Sequence, residues 1–478
     1  YRTKIALDFA IRQMYCAAMN APFPPNATSP VNPPAQFPNF EAFSAYLDAL
    51  GLFRMVPGLD RMTAMLERLG LKRPPYTVIQ VAGTNGKGST STMLERLARE
   101  HGLRTGLHTS PHFVSVRERV RIDGRMLSEE EWTAHANTLM RNQGQELSYF
   151  EFVTCLAVLA FAEAAVDLAV METGLGIAFE ATTALDADLV VFTPFDLDHQ
   201  AVLGPTLKDI AADKSGSIRP GKPVISATQQ QEAWREIRRV AEKRNAPLEG
   251  PADYVYGTSG PTTDFPDILR SFGLSMNLQG DYQTGNARLA LAAWRCLNRM
   301  NLLSDEAQKR VADHTQAKPA GLTEASALAT AWLPGRMQRV APKLTDDGFP
   351  SGSGWPALLL DGAHNSHGLS ALGLALAKQA IAPGAVIFSC LADKDLDQLL
   401  PHLRSLATGP VFVPPIADNP RAMEPEKLAR LIGVNAQPAA SFREAVSSAS
   451  RHLEQRLPEV FQAPEARNPL LVCGSLYM

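Results

Sequence analysis

The strongest constraint in this sequence is an apolar run that leads into a glycine-rich segment and then into a helical pattern. Residues 76–81 have the character of a strand, and the segment that follows reads Gly83-Thr84-Asn85-Gly86-Lys87-Gly88-Ser89-Thr90. Apolar residues then recur at helical spacing from Met93 to Leu97. A strand, a glycine turn and a helix in this order favour a parallel α/β sheet that binds a phosphate at the helix N-terminus.

The chemistry of this segment suits a nucleotide. Backbone N–H groups of glycines can approach an oxyanion, Lys87 can reach terminal phosphates, and Ser89 or Thr90 could offer a hydroxyl to Mg²⁺. An ordinary P-loop places four residues between its first glycine and Gly-Lys, whereas Thr84 and Asn85 alone separate the glycines here. We therefore predict a variant phosphate-binding loop rather than a plain glycine turn. The predicted nucleotide contacts are Thr84, Asn85, Gly86, Lys87, Gly88, Ser89 and Thr90.

Composition limits the class of protein. The 478 residues are enough for two or three domains, and 45% hydrophobic with 20% charged residues is ordinary for a globular chain with a large core. A formal net charge of −3 gives no electrostatic reason to expect nucleic acid or an anionic membrane as a partner. A small-molecule enzyme or binding protein is the remaining expectation.

Cysteine usage and hydropathy indicate the compartment. The five cysteines are scattered and lack metal-ligand spacing, so we expect buried thiols in a reducing environment. The most apolar stretch, residues 152–171, contains Glu163 and Asp167, and is predicted to be a buried helix that runs into a strand rather than a membrane span. Charged residues within the first twenty positions disfavour a secretory signal. A cytoplasmic location is predicted.

The chain divides by pattern into four parts. Residues 1–38 form an N-terminal extension that is rich in proline and expected to be flexible. Residues 39–313 alternate helical patterns with apolar strands, which predicts a mostly parallel sheet with helices on both faces. Residues 314–333 have the composition of a hinge, and residues 334–478 repeat the alternation as a smaller Rossmann-like α/β domain.

The glycine segment and a series of later motifs resemble one enzyme family. The sequence Gly-Thr-Asn-Gly-Lys-Gly-Ser resembles the Mur ligase superfamily, and the flanking motifs are similar to those of the folylpolyglutamate synthase/dihydrofolate synthase family. The resemblance covers roughly residue 40 to the end, and the motifs follow in the order of the family. They are residues 46–51, 57–61, 109–112, 118–124, 150–152, 172–176, 198–199, 213–216, Gln283 with Asn286, 334–336, 361–365 and 474–477.

The resemblance implies amide formation that depends on ATP and Mg²⁺, with one or two metal ions. A substrate carboxylate would become an acyl phosphate, and the amine of L-glutamate would then displace phosphate. Ser110, Glu172 and His199 match the magnesium ligands of the family, although Ser110 taken alone could be a turn residue. Lys87, His199 and Lys214 match catalytic positions. Lys214 matches a lysine that is commonly carbamylated, whereas its sequence surroundings alone favour a solvated helical lysine.

The resemblance also implies nucleotide contacts from the later part of the chain. Asn286, Arg336, Asp361 and His364 match family positions that hold ATP. A guanidinium such as that of Arg336 suits phosphate because its donors form a planar fork. Asn286 taken alone is equally consistent with a capping role.

One loop departs from the family pattern. After Gly176 the family usually continues Gly-Arg-apolar-Asp-Ala-Thr-Asn, whereas this chain reads Ile-Ala-Phe-Glu-Ala-Thr-Thr over residues 177–183. The loop helps to form the pterin pocket of the family, together with the start of a helix near residue 150. The predicted substrate contacts are Phe150, Phe152, Phe179, Glu180 and Ala181.

Several functions remain open at this point. The first is a monomeric ligase that joins L-glutamate to dihydropteroate, to the glutamate tail of a reduced folate, or to both. The second keeps the ligase chemistry with a different carboxylate acceptor, because the altered loop lies on the substrate side. The third is a catalytically impaired paralogue that binds nucleotide, which the retention of Lys87, Glu172, His199 and Lys214 disfavours. A generic P-loop motor fits neither the loop spacing nor the later motifs.

Overall fold

The computed structural model describes residues 36–51, 58–176, 180–251, 265–316, 318–319, 321–341, 356–416, 419, 421–433, 435–457, 460 and 467–475. These residues form two compact units. The first unit comprises the described residues up to Ser275 and from Asn286 to Ala331, and the second comprises Met276–Gly285 and those from Trp332 onward. Nearly all of the predicted N-terminal extension, as well as Phe179, lies outside the described residues.

The first unit is built on an eight-stranded sheet in the order β4-β3-β2-β5-β1-β6-β7-β8. Strand pairs are parallel except that β3 pairs antiparallel with β2 and β4. In chain order, β1–β8 are Thr77–Ala82, Thr105–His108, Val120–Ile122, Arg125–Met126, Leu168–Glu172, Leu189–Phe192, Val224–Ser226 and Leu248–Glu249. Helices α1–α9 are Phe40–Leu50, Asp60–Arg68, Lys87–Glu100, Glu129–Arg141, Tyr149–Glu163, Gln200–Leu203, Leu207–Ser215, Gln231–Lys243 and Phe265–Ser271. Helix α10 is Asp281–Arg299, and its residues up to Gly285 belong to the second unit. Helices α11 and α12 are Asp305–Thr315 and Leu322–Thr330, and 3₁₀ helices span Val116–Arg119, Gly144–Glu146 and Ala181–Ala184.

The central strands are apolar because both faces of the sheet are covered. All six residues of β1 and all five of β5 are buried, as expected for parallel strands between two helical layers. Helix α5 is apolar around most of its circumference and is buried over Phe152–Phe161. It leads into β5, which confirms the predicted buried helix and strand. Within the described residues, no helix is both long enough and apolar enough to cross a membrane.

The second unit carries a six-stranded sheet in the order β13-β12-β11-β14-β10-β9, in which only the β9–β10 pair is antiparallel. The fold class predicted from the sequence, two α/β units with mostly parallel sheets, is therefore confirmed. Strands β9–β14 are Gln338–Val340, Leu358–Leu360, Ala385–Phe388, Val411–Val413, Ala436–Pro438 and Leu470–Cys473. Helices α13–α16 are Ser366–Lys378, Leu396–Leu406, Pro425–Ile432 and Phe442–Arg456.

The region predicted as a hinge, residues 314–333, contains ordinary helix. It includes the end of α11 and the whole of α12, which packs on α3 in the first unit. The boundary between the two units falls at Ala331 and Trp332, inside this region. The sequence pattern did not indicate that the earlier segment Met276–Gly285 belongs to the second unit.

Candidate active site

The site is organised by three neighbouring strand ends in the first unit. In the sheet register, Val81 of β1 lies opposite Glu172 of β5, and Ala82 lies opposite Phe192 of β6. The glycine loop after β1 therefore emerges between the ends of two parallel strands. Carboxyl ends of strands at such a position are where open α/β sheets bind ligands.

Two glycines of the loop allow close approach of other parts of the chain. Gly83 has φ 154°, and a β-carbon there would overlap the side chain of Thr193. Gly86 has φ 88°, and its β-carbon would lie 2.5 Å from Oδ1 of Asn286. The structure thus brings Asn286, predicted from its motif, against the glycine loop.

The first residues of α3 have the donors that a phosphate requires. Nζ of Lys87 lies 3.2 Å from the carbonyl oxygens of both Gly83 and Thr84, so the ammonium group folds over the loop. Ser89 and Thr90 are buried at the helix N-terminus. The hydroxyl of Thr90 has no hydrogen-bond partner in the described part of the chain, so it is free to bind a ligand group.

Two of the predicted metal ligands meet at the end of β5. The backbone N–H of Ser110 donates to Oε2 of Glu172 at 2.9 Å, and Glu172 is buried. His199 is the N-cap residue of the short helix α6, with φ 54°, and its Nε2 lies 3.8 Å from Oδ2 of Asp198. Among the described residues, no three His, Cys, Asp or Glu side chains form a ready-made metal cluster. Hydroxyl and carboxylate oxygens are nevertheless the hard ligands that Mg²⁺ prefers, so the corner formed by Ser110 and Glu172 fits this ion.

Lys214 is a buried lysine, not the solvated one that its local sequence favours. It lies in the last turn of α7 with 4% of its surface exposed. Burial and the positive charge of Lys87 lower the pKa of Lys214 to about 8, against the opposing influence of Asp213, Asp198 and Glu180. These charges therefore share one electrostatic environment with the glycine loop.

Glu180 anchors the loop that departs from the family pattern. Its carboxylate accepts hydrogen bonds from the backbone N–H groups of Gly174 and Thr182, at 3.2 and 3.0 Å, and from the Thr182 hydroxyl. Nε2 of the buried Gln80, on β1, donates to that same hydroxyl oxygen at 2.8 Å. Burial raises the pKa of Glu180 to about 7. Sequence reasoning missed Gln80, although a glutamine inside an apolar strand was a signal of a buried polar partner.

The two predicted substrate phenylalanines have different environments. Phe152 is fully buried in an aromatic cluster, with ring centroids 5.6 Å from Phe43 and 6.1 Å from Tyr46. Its prediction as a substrate contact is therefore corrected: packing of α5 uses this ring in the core. Phe150 is half-buried and lies beside Gly174 at the strand end, so it remains a candidate. Ala181 is buried, and Phe179 lies outside the described residues.

The predicted residues of the second unit gather at the end of β10. Oδ2 of the buried Asp361 accepts from the backbone N–H of Met337 at 2.8 Å and from the hydroxyl of Tyr282 at 3.3 Å. Burial raises the pKa of Asp361, and the positive charge of Arg336 opposes that increase. Nδ1 of His364 lies 2.8 Å from the carbonyl oxygen of Gly362, which orients the ring.

A buried arginine near Ser110 lies within the motif over residues 118–124, and the sequence assigns no role to it. Arg119 is 3% exposed, and its Nε donates to Nδ1 of His112 at 2.8 Å. Its guanidinium carbon lies 5.5 Å from the ring centroid of Tyr149. Burial and the charge of Arg119 lower the pKa of His112 to about 4, so this imidazole is neutral at physiological pH and accepts the hydrogen bond.

Comparison with known proteins identifies the family of the chain. The family model for the Mur ligase, glutamate ligase domain matches residues 335–458. The chain is 33% identical over 396 residues to the dihydrofolate synthase/folylpolyglutamate synthase of Bacillus subtilis (strain 168), covering 76% of this chain and 84% of that protein. The chain belongs to the dihydrofolate synthase/folylpolyglutamate synthase family. The resemblance inferred from the motifs is thereby confirmed.

Solved structures of this family share the fold along most of the chain. The Mycobacterium tuberculosis folylpolyglutamate synthase complexed with ADP superposes with a TM-score of 0.74 at 27% identity, covering 92% of this chain and 96% of that one. An Escherichia coli structure in complex with DHPP and ADP gives 0.70 at 28% identity, with 95% and 97% covered. A bifunctional folylpolyglutamate synthase/dihydrofolate synthase with Mn, AMPPNP and L-glutamate bound gives 0.69 at 28% identity, again covering 95% and 97%.

Proposed function

We propose that this member of the family is an ATP-dependent ligase that joins L-glutamate to the carboxylate of dihydropteroate, to the glutamate tail of reduced folates, or to both. The observation that carries this proposal is the convergence of the glycine loop, Lys87 and Glu172 at adjacent strand ends. The reaction needs neutralised phosphate charge, aligned reactants and a site closed against water. The described residues offer the first of these directly.

The proposed reaction has two steps, phosphoryl transfer to the acceptor and amide formation. A carboxylate oxygen of the acceptor attacks the γ-phosphorus of ATP, the bond from that phosphorus to the bridging oxygen breaks, and ADP leaves. The amine of L-glutamate then attacks the acyl carbon, phosphate leaves with the electrons of the C–O bond, and the nitrogen loses a proton. Lys87 and the loop N–H groups stabilise the negative charge of the transferred phosphoryl group.

The metal requirement follows from the donors. A bound Mg²⁺ supplies charge neutralisation to the phosphates. Ser110 and Glu172 would hold it, and His199 remains the predicted third ligand, with its Nε2 3.8 Å from Oδ2 of Asp198. The number of ions, one or two, stays a prediction.

Lys214 is proposed to be carbamylated and to act with His199 and Lys87 as catalytic machinery. Carbamylation requires a neutral amine, and a pKa of about 8 leaves an appreciable neutral fraction at neutral pH. With carbon-13-labelled bicarbonate, we expect a carbamate NMR signal in the wild-type protein that is absent in Lys214→Met. A wild-type spectrum without that signal at any bicarbonate concentration would contradict the modification.

Further contacts are proposed for each substrate. Asn286, Arg336, Asp361 and His364 remain the predicted ATP contacts beyond the loop, while Phe150, Phe179, Glu180 and Ala181 remain the predicted acceptor side. The described cysteines are free and buried, which supports a reducing, cytoplasmic environment. We propose a monomer without nucleic-acid or membrane partners.

The test measures ADP release with ATP, Mg²⁺ and L-glutamate. Dihydropteroate and tetrahydrofolate monoglutamate are offered in separate reactions, and the product masses are determined by mass spectrometry. Glutamylated product with either acceptor establishes the ligase and separates the two activities. The altered loop around Glu180 favours one second candidate, a ligase of the same chemistry with another carboxylate acceptor. Tight ATP binding without product from either folate would select that candidate and reject the first.

A further inference from the structure

Arg119 is a buried cation with no anionic partner among the residues that the structure describes. Its side chain contacts Nδ1 of His112 and the ring of Tyr149, and its exposed fraction is 3%. Within the part of the chain that the structure describes, no carboxylate lies within ion-pair distance of its guanidinium group, and its two Nη groups donate no hydrogen bond. Burying a charge without a counter-ion is costly, so such a group is expected to acquire an anion when the protein performs its task.

Arg119 lies beside the end of β2, next to the corner that Ser110 and Glu172 form. Its carbonyl oxygen accepts the backbone N–H of Thr109 at 3.0 Å, and the following N–H, that of Ser110, donates to Glu172. Strands β3 and β5 flank β2, so the backbones at Arg119 and Glu172 are separated by two strand spacings, roughly 10 Å. An arginine side chain reaches across much of that distance.

The loop that precedes Arg119 is held in a fixed conformation. The carboxylate of Glu118 accepts the backbone N–H groups of Phe113, Val114 and Ser115 at 2.9, 2.7 and 2.8 Å. The hydrogen bond from Nε to His112 fixes the plane of the guanidinium group while leaving its Nη donors available. A guanidinium group oriented in this way matches the two oxygens of a carboxylate.

We propose that Arg119 binds the carboxylate of the acceptor that ATP activates, through the Nη donors of its guanidinium fork. The inference rests on the proposed function and adds a residue that sets acceptor specificity. The half-buried ring of Phe150 lies one residue from Tyr149, at the start of the same helix, and contacts the strand end at Gly174. Arg119 and Phe150 would therefore contact the charged and the flat aromatic parts of one ligand.

The test is a thermodynamic cycle that compares the loss of the Arg119 guanidinium group with the loss of the ligand's carboxylate. Dissociation constants for dihydropteroate, and for its analogue with a carboxamide in place of the carboxylate, are measured with the full chain by calorimetry. The variants are Arg119→Met and Arg119→Lys. The matched control is Arg125→Met, because Arg125 is exposed and its Nη groups already bind Glu131 at 2.8 and 2.9 Å.

We expect Arg119→Met to weaken dihydropteroate binding by about 10- to 100-fold and carboxamide binding by less than about 3-fold, as for loss of hydrogen bonds to a charged group. Arg119→Lys should lose less affinity for dihydropteroate, because lysine keeps the positive charge but lacks the two Nη donors. If Arg119→Met does not fold, the Arg119→Lys variant still tests whether Arg119 binds the carboxylate. The KM for dihydropteroate should rise while the KM for ATP stays unchanged. Arg125→Met should match the wild type.

Equal losses for the acid and the amide would overturn the proposal, because a merely structural arginine affects both ligands alike. Unchanged acid binding in both Arg119 variants would overturn it as well. If the wild-type protein binds neither dihydropteroate nor its amide, the proposed acceptor is wrong and this inference falls with it. Normal acid binding that does not depend on Arg119 would leave the ligase proposal standing and reject only the role of Arg119.

Discussion

Lys87 combines two roles at the scale of a single residue. Its ammonium group holds the carbonyl oxygens of Gly83 and Thr84, and its charge helps to lower the pKa of Lys214. We expect Lys87→Ala to reduce ADP formation by at least about 100-fold, since one preorganised charge contact is lost from the transferred phosphoryl group. Circular dichroism should show an unchanged fold. Replacement of the exposed Lys72 by Ala serves as control, and undiminished turnover in Lys87→Ala would rule out the phosphate role.

Glu180 should make stability depend on pH in the protein without ligands. Because its pKa is raised to about 7 from an ordinary 4.5, the folded state binds a proton that the unfolded state has released between these values. Stability therefore falls as pH rises from 4.5 to 7, by about 3 kcal/mol for this difference in pKa. Glu180→Gln should remove this slope. Denaturant unfolding at a series of pH values measures it, and parallel curves for the two proteins would contradict the assignment.

At the scale of the element, the start of α5 depends on one buried carboxylate. Glu151 accepts from the backbone N–H and hydroxyl of Ser148 in a capping box, and from Nε and Nη2 of Arg61 at 3.1 and 3.0 Å. Arg61 therefore ties α2 to the helix that presents Phe150. We expect Arg61→Met to lower the free energy of unfolding by about 1.5–3 kcal/mol. Arg68→Met, which removes an exposed pair with Glu146, should cost less than about 1 kcal/mol in the same denaturation experiment. Equal losses of unfolding free energy in Arg61→Met and Arg68→Met would show that burial of Glu151 does not strengthen its ion pair.

At the scale of the whole molecule, the second unit is completed by a segment that lies far from it in sequence. Met276–Gly285 interrupts the first unit, and its Tyr282 packs on the core of the second and donates to Asp361. We expect Tyr282→Phe to lower stability by about 1 kcal/mol through the lost hydrogen bond, and Tyr282→Ala by about 2 kcal/mol through lost packing as well. Hydrogen exchange should locate both losses in β10 and β14. Losses confined to the first unit would contradict the observed division.

The elements of the fold were largely predictable because their signals are local. The largely apolar runs at residues 168–172 and 411–413 correspond to β5 and β12, since parallel strands buried on both faces are mostly apolar. The glycine loop was predictable for a similar reason. Its positive φ angles at Gly83 and Gly86 can be adopted cheaply only by glycine, so the sequence records the conformation directly.

Roles that depend on partners distant in sequence needed the tertiary structure. Phe150 and Phe152 are alike in sequence, but Phe152 is fully buried against Phe43, whereas Phe150 packs at the edge of the core and is half-buried. The surroundings of Lys214 suggested a solvated lysine, and the burial that lowers its pKa comes from the folded unit around it. No sequence signal indicates that the charge of Arg119 meets no carboxylate within the described part of the chain. The sequence by itself therefore determined the strands, the glycine loop and the family, because these depend on local pattern and backbone freedom. The tertiary structure decided which side chains are buried, which charges are paired and where Tyr282 packs. Each of these depends on contacts between residues that only folding brings together.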